Sequence, residues 1–273
     1  YLPASFWMSP LKGLTHDTRL QAPWPDVIIS GGRMSAAPVA AIRRQTQAHT
    51  KVIQILDPHM DPACFDAVIA PFHDRLSGPN VVVMQGALHT LTSEYLETQG
   101  QKFTPLFATY ASPFIGVLIG GSNRAYKLGV SEMADLAVKL RQAVAMQGGT
   151  LLITASRRTS PMAIEALKRG LEGLSYYFWD GEGHNPYGAI LALSDHLVMT
   201  SDSVSMICEG CYTGKPVHVY MLPGGTAKFN RFHDAIQKKG YVRPFGGMLD
   251  TWKYHPLRDM EETVRKIKEL VDF

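Results

Sequence analysis

Three short polar segments carry most of the chemistry this sequence can do. Gly120-Gly121-Ser122 can bring backbone N–H groups close to an anion, with Asn123, Arg124 and Lys127 just beyond. Ser156-Arg157-Arg158-Thr159-Ser160 combines two guanidinium forks with three hydroxyls. Adjacent arginines repel one another unless an anion or a carboxylate neutralises them. Ser201-Asp202-Ser203 stands ahead of a helical pattern whose first turn offers unpaired N–H groups and a partial positive end. Each segment also has a plain structural reading, as an N-cap or as solvated loop charge. Three such turns on one sheet edge would make a diphosphate site. Glu209 follows Ser203 by six residues; it either accepts hydrogen bonds from ribose hydroxyls or is a surface helix carboxylate.

Further candidates lie elsewhere. Trp179-Asp-Gly-Glu-Gly-His184-Asn-Pro-Tyr187 gathers carboxylates, a histidine, glycines and aromatics. It reads as a surface loop or as one that closes over a base, a sugar or a phosphate. Asp57-Pro-His59 and Pro71-Phe-His73-Asp74 fall at strand ends, where Asp57, His59 or His73 can act as a general base toward a hydroxyl. Cys208-Glu-Gly-Cys211 has neither the further ligands of a zinc site nor the helix-start position of a redox pair, so both read as buried thiols. No metal site is expected. Gly120-Gly-Ser-Asn-Arg124 is not GxGxxG, which disfavours a nicotinamide enzyme.

The elements that must hold these residues alternate between β-branched runs and helical stretches, the pattern of a parallel α/β sheet. Strands are predicted near 26–30, 51–56, 65–70 and 80–84, with a helix over 35–49 opened by Ser35. A connector follows, with a short helix near 90–99. A second block has predicted strands at 114–119, 150–154, 175–179, 196–200 and 216–221. Its helices are predicted near 131–147, from Pro161, 187–194, up to about Thr213, and 227–239; a last one runs 257–270. Ligands of such sheets sit beyond the carboxyl ends of the strands, where the candidate residues fall.

The expected architecture is α/β, with two Rossmann-like domains facing a cleft. One covers 1–105 and the other 106–255, with the segment 256–273 packing back on the first. The first block lacks an opening strand and glycine loop ahead of Asp26, and the chain opens on Tyr1, so its first βα unit is expected to be missing. With 27 Lys and Arg against 24 Asp and Glu, the net charge of +3 argues for no nucleic-acid partner. No run of eighteen apolar residues suggests a transmembrane span, which leaves room for peripheral membrane contact. Three cysteines fit a reducing compartment, and a cytoplasmic location is expected.

Several strings stand together in order: Val27-Ile-Ile-Ser-Gly-Gly-Arg33, Gln54-Ile-Leu-Asp-Pro58, Ile119-Gly-Gly-Ser-Asn-Arg-Ala-Tyr126, Leu152-Ile-Thr-Ala-Ser-Arg-Arg-Thr159, the 179–187 loop, Thr200-Ser-Asp-Ser-Val-Ser-Met206 and Thr213-Gly-Lys-Pro-Val217. This set resembles the elongated-mitochondria fission protein family, whose bacterial members are often labelled nucleoside-diphosphate-sugar epimerases. The second half is similar, more distantly, to the donor domain of GT-B glycosyltransferases. That likeness implies that the turn from Ser201 to Met206, including Ser205, holds a diphosphate and that Glu209 holds ribose.

The resulting expectation is a metal-independent glycosyltransferase that needs no cofactor. It would take a UDP-sugar-type donor and pass the sugar to an unknown acceptor. Its donor site would comprise Gly120, Gly121, Ser122, Arg124, Ser156, Arg157, Arg158, Ser201, Asp202, Ser203, Ser205, Met206 and Glu209. A non-catalytic scaffold of the same fold and a nucleotide-sugar 2-epimerase are the alternatives.

Overall fold

A computed structural model describes residues 22–271. They divide into two units, 22–87 with 258–271, and 88–257. The first division falls at 87/88, where the sequence suggested 105/106. The reason is a helix, α2 (Ser93–Phe107), that is longer than the periodicity implied and packs on α5 (Tyr187–Leu193) of the second unit. Residues ahead of 22, on which the expected loss of a βα unit turns, lie outside the described residues.

The first unit is a four-stranded parallel sheet in the order β1 (Val27–Gly31), β2 (Lys51–Ile55), β3 (Ala67–Pro71), β4 (Val81–Met84). Helix α1 (Arg33–Gln45) begins two residues before Ser35, with Gly32 as N-cap. Ser35 therefore sits inside the first turn, where its hydroxyl donates back to the Gly31 and Gly32 carbonyls at 2.9 and 3.1 Å. The last helix, α8 (Asp259–Val271), packs on β3 and β4, and the Asp259 carboxylate accepts from the Gln85 and Gly86 N–H groups at 2.7 and 2.9 Å.

Asp66 ties three elements of this unit together. It accepts two bonds from the Arg43 guanidinium, at 2.9 and 3.1 Å, and one from the Val52 N–H at 2.8 Å. Burial pushes its carboxyl up, but the Arg43 and Val52 bonds outweigh that and hold it below the usual range. Asp66→Ala is expected to cost this unit about 2 kcal/mol in urea unfolding at neutral pH, because a buried N–H and a guanidinium lose their acceptor. A variant as stable as the parent would refute the assignment.

The second unit is a six-stranded, all-parallel sheet: β7 (Tyr176–Phe178), β6 (Thr150–Ala155), β5 (Phe114–Ile119), β8 (His196–Thr200), β9 (Val217–Tyr220), β10 (Val242–Pro244). In chain order that is 3-2-1-4-5-6, the doubly wound arrangement, and the winding reverses between β5 and β8. The central strands are buried along almost their whole length, which is why they read as continuous apolar runs. Strand β10, with only three residues and a proline, carries too short a signal to be predicted. The crossover helices are α3 (Val130–Gln147), α4 (Pro161–Gly170), α5, α6 (Val204–Tyr212) and α7 (Ala227–Lys238). Their starts are capped by local chemistry: Ser160 accepts from the Ala163 N–H with Pro161 following, and Thr226 from that of Phe229.

Candidate functional site

The reversal between β5 and β8 leaves a crevice at the carboxyl ends of the strands, and the polar turns meet there. A cavity of about 340 Å³ opens in the 88–257 unit. Leu118 and Ile119 of β5, Thr154, Ala155, Ser156 and Arg157 at the end of β6, and Trp179 after β7 line it. Asn185 and Tyr187 at the start of α5 and Met206 on α6 complete the wall.

Behind this cavity sits a lock built on Asp202. Its side chain is fully buried. One carboxylate oxygen accepts from the Gly121 N–H at 2.9 Å, and the other from the Thr200 hydroxyl at 2.7 Å. The Gly120 N–H in turn donates to the Thr200 hydroxyl at 2.8 Å. Arg158 reaches Asp202 at 3.4 Å, the Thr159 hydroxyl donates to the Gly120 carbonyl, and the Asn123 amide donates to the Asp202 carbonyl at 3.3 Å. The three turns thus hold one another.

This geometry revises the expected roles. The N–H groups of Gly120 and Gly121, expected to face an anion, are spent on Thr200 and Asp202. These glycines serve close packing instead: a Cβ on Gly120 would lie 2.2 Å from both Asp202 carboxylate oxygens, and one on Gly121 2.6 Å from the Arg158 backbone. Ser201 is fully enclosed, its hydroxyl taking the Leu222 N–H at 3.0 Å and its carbonyl 2.9 Å from His233 Nε2. Ser122 is turned to the Leu128 backbone, exchanging bonds with it at 2.9 and 3.1 Å. Arg124 is exposed on the turn that Asn123 braces through the Ala125 and Tyr126 N–H groups. The two arginines divide the work: Arg158 belongs to the lock and Arg157 to the cavity.

Four of the expected residues lie on α6 or at its cap, and one of them, Met206, lines the cavity. Ser203 caps α6, accepting from the Met206 N–H at 3.4 Å, and Ser205 is exposed in its first turn. Met206 lines the cavity, and one turn further Glu209 accepts the Tyr187 hydroxyl. Burial pushes the Glu209 carboxyl up, partly offset by the Tyr187 bond; burial and the adjacent Glu209 push the Tyr187 phenol up. Ser156, Arg157 and Met206 are the lining residues that the predicted donor site held; Trp179 and Tyr187 are the aromatic ones it passed over. Their signal was the aromatic- and glycine-rich loop they bracket. That loop is self-braced: the Trp179 indole donates to the Glu182 carbonyl at 2.7 Å, and the Glu182 N–H to Asp180 at 2.9 Å. His184 is exposed in it.

Asp57, His59 and His73 belong to the other unit. Asp57 accepts the His59 N–H at 2.8 Å, with the His59 ring exposed and 3.6 Å from the same carboxylate. His73 is buried in the turn after β3, 3.9 Å from Asp74. Among the described residues no group of three or more His, Cys, Asp or Glu is placed to hold a metal, and no helix is long and apolar enough to cross a membrane.

Residues 5–271 match the family described as Mitochondrial fission ELM1. The chain is 30% identical over 297 residues to the Mitochondrial fission protein ELM1 of Arabidopsis thaliana, covering 97% of this chain and 69% of that one. It is 24% identical over 290 residues to an uncharacterised protein, RP120, of Rickettsia prowazekii, covering 91% and 79%. Among solved structures, it is similar to the UDP-GlcNAc 2-epimerase of Methanocaldococcus jannaschii in complex with UDP-GlcNAc and UDP. There the TM-score is 0.56 at 10% identity, over 91% of this chain and 76% of the other. The UDP-GlcNAc 2-epimerase of Neisseria meningitidis bound to UDP-GlcNAc gives 0.53 at 14% identity, over 91% and 77%. At such identities the likeness is one of fold, and with the two parallel sheets it makes the fold GT-B-like, with two Rossmann-like units.

Proposed function

The chain belongs to the mitochondrial fission ELM1 family, and from that premise we propose that it binds a nucleoside diphosphate sugar in the cavity of the 88–257 unit and transfers the sugar to an acceptor. The cavity itself carries this reading. It lies at the winding reversal, where such sheets take their ligands, and offers Trp179 and Tyr187 as flat apolar walls and Arg157 as a cation. The first turn of α6 supplies the Val204 and Ser205 N–H groups and the partial positive end of the helix, both suited to a phosphate. Arg157 and that turn would stabilise charge developing on the leaving diphosphate, without a cofactor.

Titration with UDP tests the binding step. A ligand at 100 times its Kd adds about 2.7 kcal/mol to the stability of the unit that binds it, so UDP is expected to raise its melting temperature. Arg157→Ala is expected to weaken UDP at least tenfold, the loss of one charge-assisted contact, while leaving the unliganded melting temperature within about 1 °C. No shift with UDP, other nucleoside diphosphates or their sugars at millimolar concentration would overturn the proposal.

The similarity to UDP-GlcNAc 2-epimerases supports a second reading, in which the bound nucleotide sugar is isomerised rather than transferred. Incubation with UDP-sugars and no acceptor separates the two: an epimeric product favours isomerisation, and none favours transfer. A stable protein partner retained after Arg157→Ala and Glu209→Ala would instead favour a scaffold. The free cysteines suit a reducing compartment such as the cytoplasm.

A further inference from the structure

Cations crowd the edge of the sheet at which the cavity opens, and they are more than the cavity uses. The turns after β5, β6 and β9 all lie at the carboxyl edge, because the six strands are parallel. Residues 120–131, 156–160 and 221–233 hold Arg124, Lys127, Arg157, Arg158, Lys228 and Arg231, and no Asp or Glu. Those are six of 27 Lys and Arg in a chain whose net charge is only +3, so the positive charge is concentrated here. Arg157 lines the cavity and Arg158 is joined to Asp202, whereas Arg124, Lys127 and Lys228 are exposed outside the cavity lining.

The β5 and β9 turns are locked together. The Gly225 N–H donates to the Ala125 carbonyl at 2.6 Å and the Lys127 N–H to the Pro223 carbonyl at 3.2 Å, while Tyr126 and Gly224 form an antiparallel bridge. The Tyr126 ring meets Phe229 of α7 edge-on at 5.1 Å. A Cβ on Gly224 would lie 2.3 Å from the Ala125 carbonyl oxygen, so glycine lets the two turns come this close. Arg124 and Lys127 therefore leave a braced turn beside the start of α7, which carries Lys228. The acids nearest in sequence are Glu132 and Asp234. Glu132 is already taken up by the Gly129 N–H at 2.8 Å and the Ser131 hydroxyl at 2.9 Å. Like charges gathered on a fixed backbone repel one another, a cost that an anion docked among them removes.

We propose that this rim docks the second substrate, and that the sugar acceptor is an anion carrying a phosphate or diphosphate group. The assignment rests on the nucleotide-sugar reading above. Arg157 and the first turn of α6 serve the diphosphate of the donor, and the cations outside the cavity, Arg124 and Lys127 foremost, serve a second anion at its mouth. A soluble phosphate ester and a phosphate-bearing lipid offer the rim the same group.

Calorimetric titration of the UDP-saturated protein with inorganic pyrophosphate tests it, beside co-sedimentation with phosphatidylcholine vesicles that contain phosphatidic acid. The parent is expected to bind pyrophosphate at millimolar concentration, more weakly as salt is raised. The double variant Arg124→Ala with Lys127→Ala is expected to bind it at least about tenfold more weakly, the value of one charge-assisted contact, while UDP affinity stays within about twofold. Arg124→Lys with Lys127→Arg keeps both charges and is expected to restore most of the binding. The control, Arg169→Ala with Lys238→Ala, removes the same charge from the last turns of α4 and α7, at the opposite edge of the sheet. It is expected to leave pyrophosphate within about twofold. Equal losses in the rim and control variants would mean attraction to bulk charge and overturn the proposal. Vesicle binding that pyrophosphate displaces assigns the phosphate to a lipid, and pyrophosphate binding without vesicle binding assigns it to a soluble acceptor. Vesicle binding that pyrophosphate leaves unchanged marks a general membrane surface and overturns the proposal. If the parent binds no nucleotide, the reading of the cavity falls and this inference with it; if it binds UDP but not pyrophosphate, only this inference falls.

Discussion

Replacing Asp202 with alanine is expected to destabilise the 88–257 unit by about 3–5 kcal/mol, the range for removing one partner from a buried charged network. Two buried donors, the Gly121 N–H and the Thr200 hydroxyl, lose their acceptor, and water cannot reach them in the packed turn. The Arg158 pair contributes little to that sum, because its side chain is 48% exposed and exposed ion pairs are worth at most about 1 kcal/mol. Arg158→Ala therefore serves as the mild control. Asp202→Asn keeps the volume and one acceptor oxygen and is expected to fall between the two. For a unit of this size 1 kcal/mol moves the melting temperature by about 2–4 °C, so Asp202→Ala should melt roughly 10 °C lower in scanning calorimetry. Melting within a degree of the parent would mean that the turns are held by something else. The same variant should lose UDP binding, because Ser156 and Arg157 on one side and Ser203 and Met206 on the other are brought to the cavity by the turns that Asp202 joins.

The second large effect is acid sensitivity, and it arises at the opposite end of the same sheet. His218 is buried on β9, where its Nε2 accepts the Asp250 N–H at 3.0 Å. Burial, the adjacent His196 ring 5.8 Å away and Arg243 lower its pKa to about 4, against a weaker upward pull from a backbone bond at Leu197 and from Asp250. Protonation would also destroy the lone pair that the Asp250 N–H needs. Trp252 and Phe245 close the remaining sides of the ring. His196 is lowered as well, by burial, with Asp195 opposing.

The sign follows from proton counting. The unfolded chain protonates His218 near its ordinary pKa of about 6.5, whereas the folded chain does so only near 4. Between those values the unfolded state binds more protons, so stability falls as pH drops through that window and levels off below it. The shift corresponds to roughly 3 kcal/mol by linkage. Urea unfolding of the parent and His218→Gln from pH 7 to pH 4 reads this directly. The parent should lose stability more steeply than the variant, which keeps an acceptor but has no proton to gain. Parallel curves would place the acid sensitivity elsewhere.

Much of the architecture was legible in the sequence because it rests on local signals. Strands β5 and β8 are buried on both faces, so Phe114–Ile119 reads as an apolar run and His196–Thr200 as a shorter one over Leu197, Val198 and Met199. Helix α4 announced itself through Ser160-Pro161, a cap followed by a residue already fixed in helical φ. Misreadings arose where the local signal was weak or doubled. Gly32 starts α1 with no side-chain cap, so Ser35 drew the boundary to itself. The helix predicted near 90–99 runs further, as α2, with Pro105 inside it, and packing against α5 carries it through to Phe107.

The site divides along the same line. The residue types and their order singled out the three polar turns, because Gly, Ser, Asp and Arg after apolar strands suit an anion as well as an N-cap or a solvated loop charge. What those types leave open is which partner each polar group finds. A glycine N–H, a buried carboxylate and a guanidinium each satisfy an anion or one another equally well. Only their placement in space showed that Asp202 fills the Gly121 amide and that Arg158 reaches Asp202, while Arg157 lines the cavity with Trp179 and Tyr187. Hydrogen bonding is short-ranged and directional, so a pairing across 81 residues, such as Gly121 with Asp202, is decided by the winding of the sheet and by nothing that the neighbours in sequence can encode.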